Sequence, residues 1–179
     1  YGLADHGYST QASFFDYDKD GDLDMFLINH SLQQYTTGVQ ENVQLRKEQN
    51  PDFANKLYRN DNGKFKDISA EAGITSNVLT FGLGLAVSDI NNDSWLDIYV
   101  SNDFNEPDYM FINNGNGTFT DKLTESMAQI SMYSMGSDIA DYNNDGLPDM
   151  VTLDMLPESN ETQKMHSGAE NFDKMQFLF

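Results

Sequence analysis

The chain has 179 residues, enough for one domain with a sizeable core. It carries 29 Asp and Glu against 10 Lys and Arg, a formal charge of -19, which repels phosphate and argues against nucleic acid or an anionic membrane as partner. Cysteine is absent, so disulfides and cysteine-based zinc sites are excluded, and no apolar run reaches the length of a membrane span.

Taken in order, the sequence is a repeat. Gly2-Leu3 resembles Gly73-Ile74, so the chain reads as opening on the tail of an earlier unit, and an export signal would lie upstream of it. Tyr8–Phe15 reads as a first strand that runs into an acidic loop, Asp16–Asp24, and Leu23–Ile28 as the strand that leaves it. Residues 29–55 are an insertion rich in Gln and Asn. Leu57–Asp67 is an aromatic strand, an Asn-Gly turn and a second strand, which is a hairpin signature.

The pattern then starts again. Phe81–Ser88 leads into Asp89–Asp97, Leu96–Val100 leaves it, and Met110–Asp121 is the hairpin. A third start follows at Tyr133, with the loop Asp141–Asp149 and the strand Met150–Leu153, but no hairpin comes after it. Repeat one is therefore about 8–80 with the insertion 29–55, repeat two about 81–132, and repeat three about 133–179 and incomplete. Asp141 lies 52 residues after Asp89. Four short antiparallel strands at this period are the unit of a β-propeller, and three blades cannot close a ring. The expected fold is all-β: part of one propeller, with the acidic loops between strands one and two.

The loops carry the chemistry. A hard cation such as calcium takes about six to eight oxygens, at roughly 2.3–2.6 Å. Asp or Asn at positions one, three, five and nine of a tight loop can turn their oxygens inward, and position seven can add a backbone carbonyl. Loop one offers Asp16, Asp18, Asp20 and Asp24, with the carbonyl of Asp22. Loop two offers Asp89, Asn91, Asp93 and Asp97, with the carbonyl of Trp95. Loop three offers Asp141, Asn143, Asp145 and Asp149, with the carbonyl of Leu147. Carboxylates packed this closely repel one another unless a cation sits among them. An EF-hand is excluded, because position twelve is Leu27, Val100 or Thr152 rather than Glu, and a strand follows each loop. Position six is Gly21 and Gly146 but Ser94 in loop two. With four carboxylates, loop one is expected to bind most tightly and loop two most weakly.

These residues resemble the FG-GAP/VCBS repeat family, whose blades occur in integrin α-chains and bacterial surface proteins. Phe81-Gly82 matches the name, and Tyr8-Ser9 and Tyr133-Ser134 match it loosely. The stretch from Asn102 to Gly115 resembles the subset related to cartilage acidic protein, often followed by an ASPIC/UnbV domain. The resemblance implies calcium-rigidified blades, and partners on the face away from the calcium loops.

No catalytic motif is visible, and His6, His30 and His166 share no metal-binding spacing. The expectation is a secreted or cell-surface recognition or scaffold module, at a bacterial outer surface or in a periplasm, with calcium as cofactor and a protein or glycan as partner. A non-catalytic part of a glycan-acting enzyme and a structural subunit of a surface assembly are the alternatives. Recognition is expected at the exits of the second strands, at Asn29-His30, Asn102-Asp103 and Asp154, together with the insertion. Six of the ten basic residues cluster in sequence there: Arg46, Lys47, Lys56, Arg59, Lys64 and Lys66. Trp95 reads either as an exposed stacking platform or as packing against a neighbouring blade, and the tail 157–179 as another insertion or docking segment.

Overall fold

The computed structural model describes residues 1–32, 39–104, 106–131, 133–155 and 159. The tail 157–179, apart from residue 159, lies outside them, as do residues 33–38 of the insertion.

The first blade is a four-stranded antiparallel sheet of β1 (Ser9–Phe15), β2 (Asp24–Asn29), β3 (Lys56–Asn60) and β4 (Phe65–Asp67), hydrogen-bonded in that order. The second repeats it with β5 (Gly82–Ser88), β6 (Asp97–Asn102), β7 (Tyr109–Asn113) and β8 (Phe119–Asp121). The third has β9 (Ser134–Ala140) and β10 (Asp149–Asp154) among the described residues. In all three, the ninth loop residue opens the ladder: Asp24 pairs with Phe15, Asp97 with Ser88 and Asp149 with Ala140. A register shift recurs at the far end of each first strand. The repeat thus extends to backbone irregularities that side-chain patterning does not display.

Strands β2 and β6 are buried along their whole length, because each lies inside its sheet with a packed layer on both faces. Phe15, Tyr17, Phe26, Ile28 and Leu57 of blade one meet Ile98, Val100, Tyr109, Phe111 and Phe119 of blade two in one core. Alternation along β2 explains this: Phe26 and Ile28 face blade two, while Met25 and Leu27 face the other way with Tyr58. Blade two meets the third hairpin through Ala86, Tyr99 and Met110, packed with Ile139 and Met150. Here first strands approach closely, and a Cβ on Gly84 would lie 2.6 Å from the Cα of Gly136. At the preceding junction the same position is Gln11, whose amide exchanges two hydrogen bonds with the Leu85 backbone.

The opening segment repeats too. The Phe65 amide donates to the Tyr1 carbonyl at 2.7 Å, as Phe119 donates to Ala72 at 2.7 Å.

The insertion contains a short helix, α1 (Val39–Leu45), and the second blade is followed by α2 (Leu123–Ser126). The described part of the insertion binds to the segment that leads into blade two and, through Arg46, to blade two itself. Ser31 N–H donates to the Thr80 carbonyl, Val78 N–H donates to that of Glu48, and Arg46 Nε donates to Glu106 Oε2 at 3.0 Å. Glu106 is 4% exposed and also accepts from Asn77 and Tyr109, so Arg46 neutralises a buried carboxylate.

Candidate metal centre

Each acidic loop is folded by its own carboxylates. The first Asp accepts from the backbone N–H groups of positions five and six: Asp16 from Asp20 and Gly21, Asp89 from Asp93 and Ser94, Asp141 from Asp145 and Gly146. The fifth-position Asp accepts from position seven: Asp20 from Asp22, Asp93 from Trp95, Asp145 from Leu147. These turns need left-handed backbone at two places. Position four is Lys19, Asn92 or Asn144, with φ of 62°, 59° and 61°. Position six is Gly21, Ser94 or Gly146, with φ of 93°, 72° and 85°. Ser94 therefore departs from glycine without departing from the geometry; its cost is conformational strain, of order 1 kcal/mol.

The ninth Asp ties the loop to its sheet. Asp24 is fully buried and accepts from Tyr17 N–H at 3.2 Å and Asn60 N–H at 2.8 Å. Asp97 is likewise fully buried and accepts from Ile90 at 2.9 Å and Asn113 at 2.8 Å. Asn60 and Asn113 open the Asn-Gly turns, and their side-chain amides return to the Leu23 and Leu96 carbonyls. Sequence reasoning read these asparagines only as turn formers. The available signal was that both occupy the same place in their repeats.

In loop one, Asp16, Asp18 and Asp24 bring ligand oxygens within 4.8 Å of one another. Asp18 Oδ1 is buried and has no hydrogen-bond partner. Burial, and then the charges of Asp20 and Asp16, raise the Asp18 carboxyl above its ordinary range. Burial also pushes Asp24 up to about 6 and raises Asp97. One buried and two half-buried carboxylates crowded together, with an orphaned oxygen among them, are a donor set that a hard dication satisfies. Loops two and three place Asn91 and Asn143 where loop one has Asp18, and both amide oxygens accept from the fifth residue's N–H.

The two ends of each blade are distinct. The loops and the Asn-Gly turns share one end, where Asn62 N–H donates to Asp22 Oδ2. The exits of β2 and β6 lie at the other. Several exit residues expected to be surface contacts turn inward instead. Asn29 and Asn102 are fully buried and donate to the Ala54 and Pro107 carbonyls, and Asp103 is 3% exposed. They close the loop between strands two and three, which needs internal partners for its backbone. Aromatic rings line this end instead. His30 lies 4.9 Å from Phe81, and Phe81 4.9 Å from Phe104, while Tyr8 lies 6.2 Å from His30. Tyr8 and Phe104 are exposed.

The basic cluster is divided as well. β3 carries Lys56 and Arg59 towards opposite ends of the blade, and four of the six cations are paired: Arg46 with Glu106, Lys56 with Asp5 and Asp67, Arg59 with Asp61, Lys66 with Glu71. Nearness in sequence did not become one patch. Trp95 is half-buried; its ring lies 4.0 Å from the Lys19 ammonium of loop one and against Gly115.

Comparison with known proteins agrees with this architecture. Residues 89–152 match the FG-GAP-like repeat family. Cartilage acidic protein 1 of Mus musculus is 38% identical over 87 residues, and that of Xenopus tropicalis 36% over 86. The matched stretch is 48% of this chain but 13% of each relative, so the chain spans a small part of their length. Its blades are built from one recurring four-stranded unit, residues 89–152 are similar to the FG-GAP-like repeat, and the chain has the architecture of part of a β-propeller.

Proposed function

We propose that the chain is a calcium-stabilised, non-enzymatic recognition module of an extracellular or cell-surface protein. The observation that carries calcium is the buried, unpartnered Asp18 Oδ1 beside Asp16 and Asp24. Asp16, Asp18, Asp20 and Asp24, with the Asp22 carbonyl, would hold the ion in loop one. Asp89, Asn91, Asp93 and Asp97, with the Trp95 carbonyl, would hold it in loop two. Asp141, Asn143, Asp145 and Asp149, with the Leu147 carbonyl, would hold it in loop three. Calcium suits this set better than magnesium, which demands a strict octahedron and keeps several waters. Sites with so many exposed members suit the millimolar calcium outside cells, and the likeness to cartilage acidic protein 1 favours the same location.

Recognition belongs to the end away from the loops. There Tyr8, His30, Phe81 and Phe104 form an aromatic row beside a fixed polar network, a composition that suits a protein or glycan partner. The row replaces Asn29, Asn102 and Asp103 as the expected contact residues, since those are buried. Calorimetry on metal-stripped chain tests the calcium reading: calcium should bind, magnesium should compete poorly, and Asp18→Ala should remove the tightest site. Equal binding before and after that substitution would contradict it. Alanine at Tyr8 and Phe104 in the parent protein should weaken partner binding while leaving calcium uptake intact.

A further inference from the structure

We propose that the first two acidic loops take up cations cooperatively, through a buried relay from Asp24 by way of Tyr17 and Asn113 to Asp97. The inference rests on the reading of both loops as calcium sites. The relay is continuous. Tyr17 N–H donates to Asp24 Oδ2 at 3.2 Å. The Tyr17 carbonyl accepts from Asn113 Nδ2 at 2.9 Å. Asn113 N–H donates to Asp97 Oδ1 at 2.8 Å. All four residues are at most 3% exposed, so no water competes for these bonds. Its ends are the ninth-position carboxylates of adjacent loops, on different blades. Ordering Asp24 in loop one fixes the Tyr17 peptide. That peptide holds Asn113, whose backbone holds Asp97.

A second contact joins the same two loops. Lys19 stands where the other loops have Asn92 and Asn144, although lysine is poorly suited to a φ of 62°. Trp95 stands where the other loops have Asp22 and Leu147. The two departures from the repeat meet each other, with the ammonium 4.0 Å from the ring centroid. Gly115 makes room for the ring, since a Cβ there would lie 2.9 Å from Trp95 Nε1. The contact holds a positive charge on the Trp95 face, where it is bound to an aromatic ring of the neighbouring loop. Coupling of this kind is reciprocal: whatever loop one gains from loop two, loop two gains from loop one.

Terbium luminescence tests the inference, with terbium as the probe for calcium. Trp95 is the only tryptophan; it belongs to loop two and its ring touches Lys19 of loop one, so emission excited through it reports both loops, and the step that survives in Asp18→Ala is the one assigned to loop two. Asp18→Ala disables loop one while sparing the hydrogen bonds that Asp16 and Asp20 make within it. The terbium midpoint at loop two should then rise about fivefold, the lower end of measured coupling between sites. In an Asn113→Ala background, which cuts the relay, Asp18→Ala should no longer move the midpoint. If Asn113→Ala does not fold, Lys19→Gln serves instead and should reduce the shift. This double comparison is the direct form of coupling measurement. Normal emission with one midpoint in wild type and Asp18→Ala would overturn the coupling and leave the calcium reading standing. No Trp-sensitised emission, or emission that excess calcium does not displace, would overturn the calcium reading itself.

Discussion

Loops one and three have the same spacing and nearly the same internal hydrogen bonds, yet they differ in how they are held. In loop one the ninth residue, Asp24, is fully buried, and a strand-three amide from Asn60 completes it. Among the described residues, Asp149 of loop three is half-buried and accepts from Tyr142 N–H and, at 3.4 Å, from Asn143 Nδ2. The comparison separates two levels of the fold. Positions one, three and five shape the loop from within, using only neighbours in sequence. The hairpin of the same blade then buries the ninth carboxylate and fixes it against the core.

The largest test of this difference is removal of the ninth carboxylate. Asp24→Ala leaves the buried Tyr17 amide and the half-buried Asn60 amide unpaired and should cost about 3 kcal/mol, against about 1 kcal/mol for Asp149→Ala. Urea denaturation in the presence of chelator measures both; equal losses would show that the hairpin contributes nothing to loop one.

A smaller difference should appear with pH. Burial raises the carboxyls of Asp24, Asp18 and Asp97 in the folded chain, Asp24 to about 6. A raised folded-state pKa means that the folded chain keeps protons the unfolded chain has lost. The resulting stability is full below an unfolded value near ~4 and is lost as pH rises through the folded value. Cation-free chain should therefore melt higher at pH ~5 than at pH ~7, and Asp24→Asn should shrink that difference while Asp149→Asn should not. Calcium should reverse the order, because it binds the ionised form. A cation-free chain whose melting rises steadily with pH would contradict the assignment.

The smallest effect expected is at position six. Ser94→Gly relieves strain at a φ of 72° and should stabilise the chain by about 0.5 kcal/mol. Gly146→Ala introduces strain at a φ of 85° and should destabilise by about 1 kcal/mol. Thermal melts read both signs.

Much of this was legible in the sequence because it is local. The Asp spacing, the Asn-Gly turns and the β-branched runs between them specify loop, hairpin and strand within a few residues of one another. The in-phase repeat then gave the blade. What was not legible depended on contacts between distant segments. Asn102 reads as a polar loop residue, and only the return of Pro107 buries it. Arg46 reads as part of a basic cluster, and only Glu106, 60 residues away, shows that it is an internal partner. Asn113 reads as a turn residue, yet its amide reaches Tyr17, 96 residues earlier, on another blade. Ser94 reads as a departure from the loop pattern at position six, and it holds the left-handed backbone that Gly21 and Gly146 adopt.

The most direct test of calcium as the element that holds these loops is the melting temperature of metal-stripped chain with and without the ion. Calcium at about 100 times its dissociation constant should add about 2.7 kcal/mol per independent site to the folded state. Melting should rise on adding millimolar calcium, fall back with chelator, and rise less in Asp18→Ala. Melting that is indifferent to calcium in chain shown to be metal-free would contradict it.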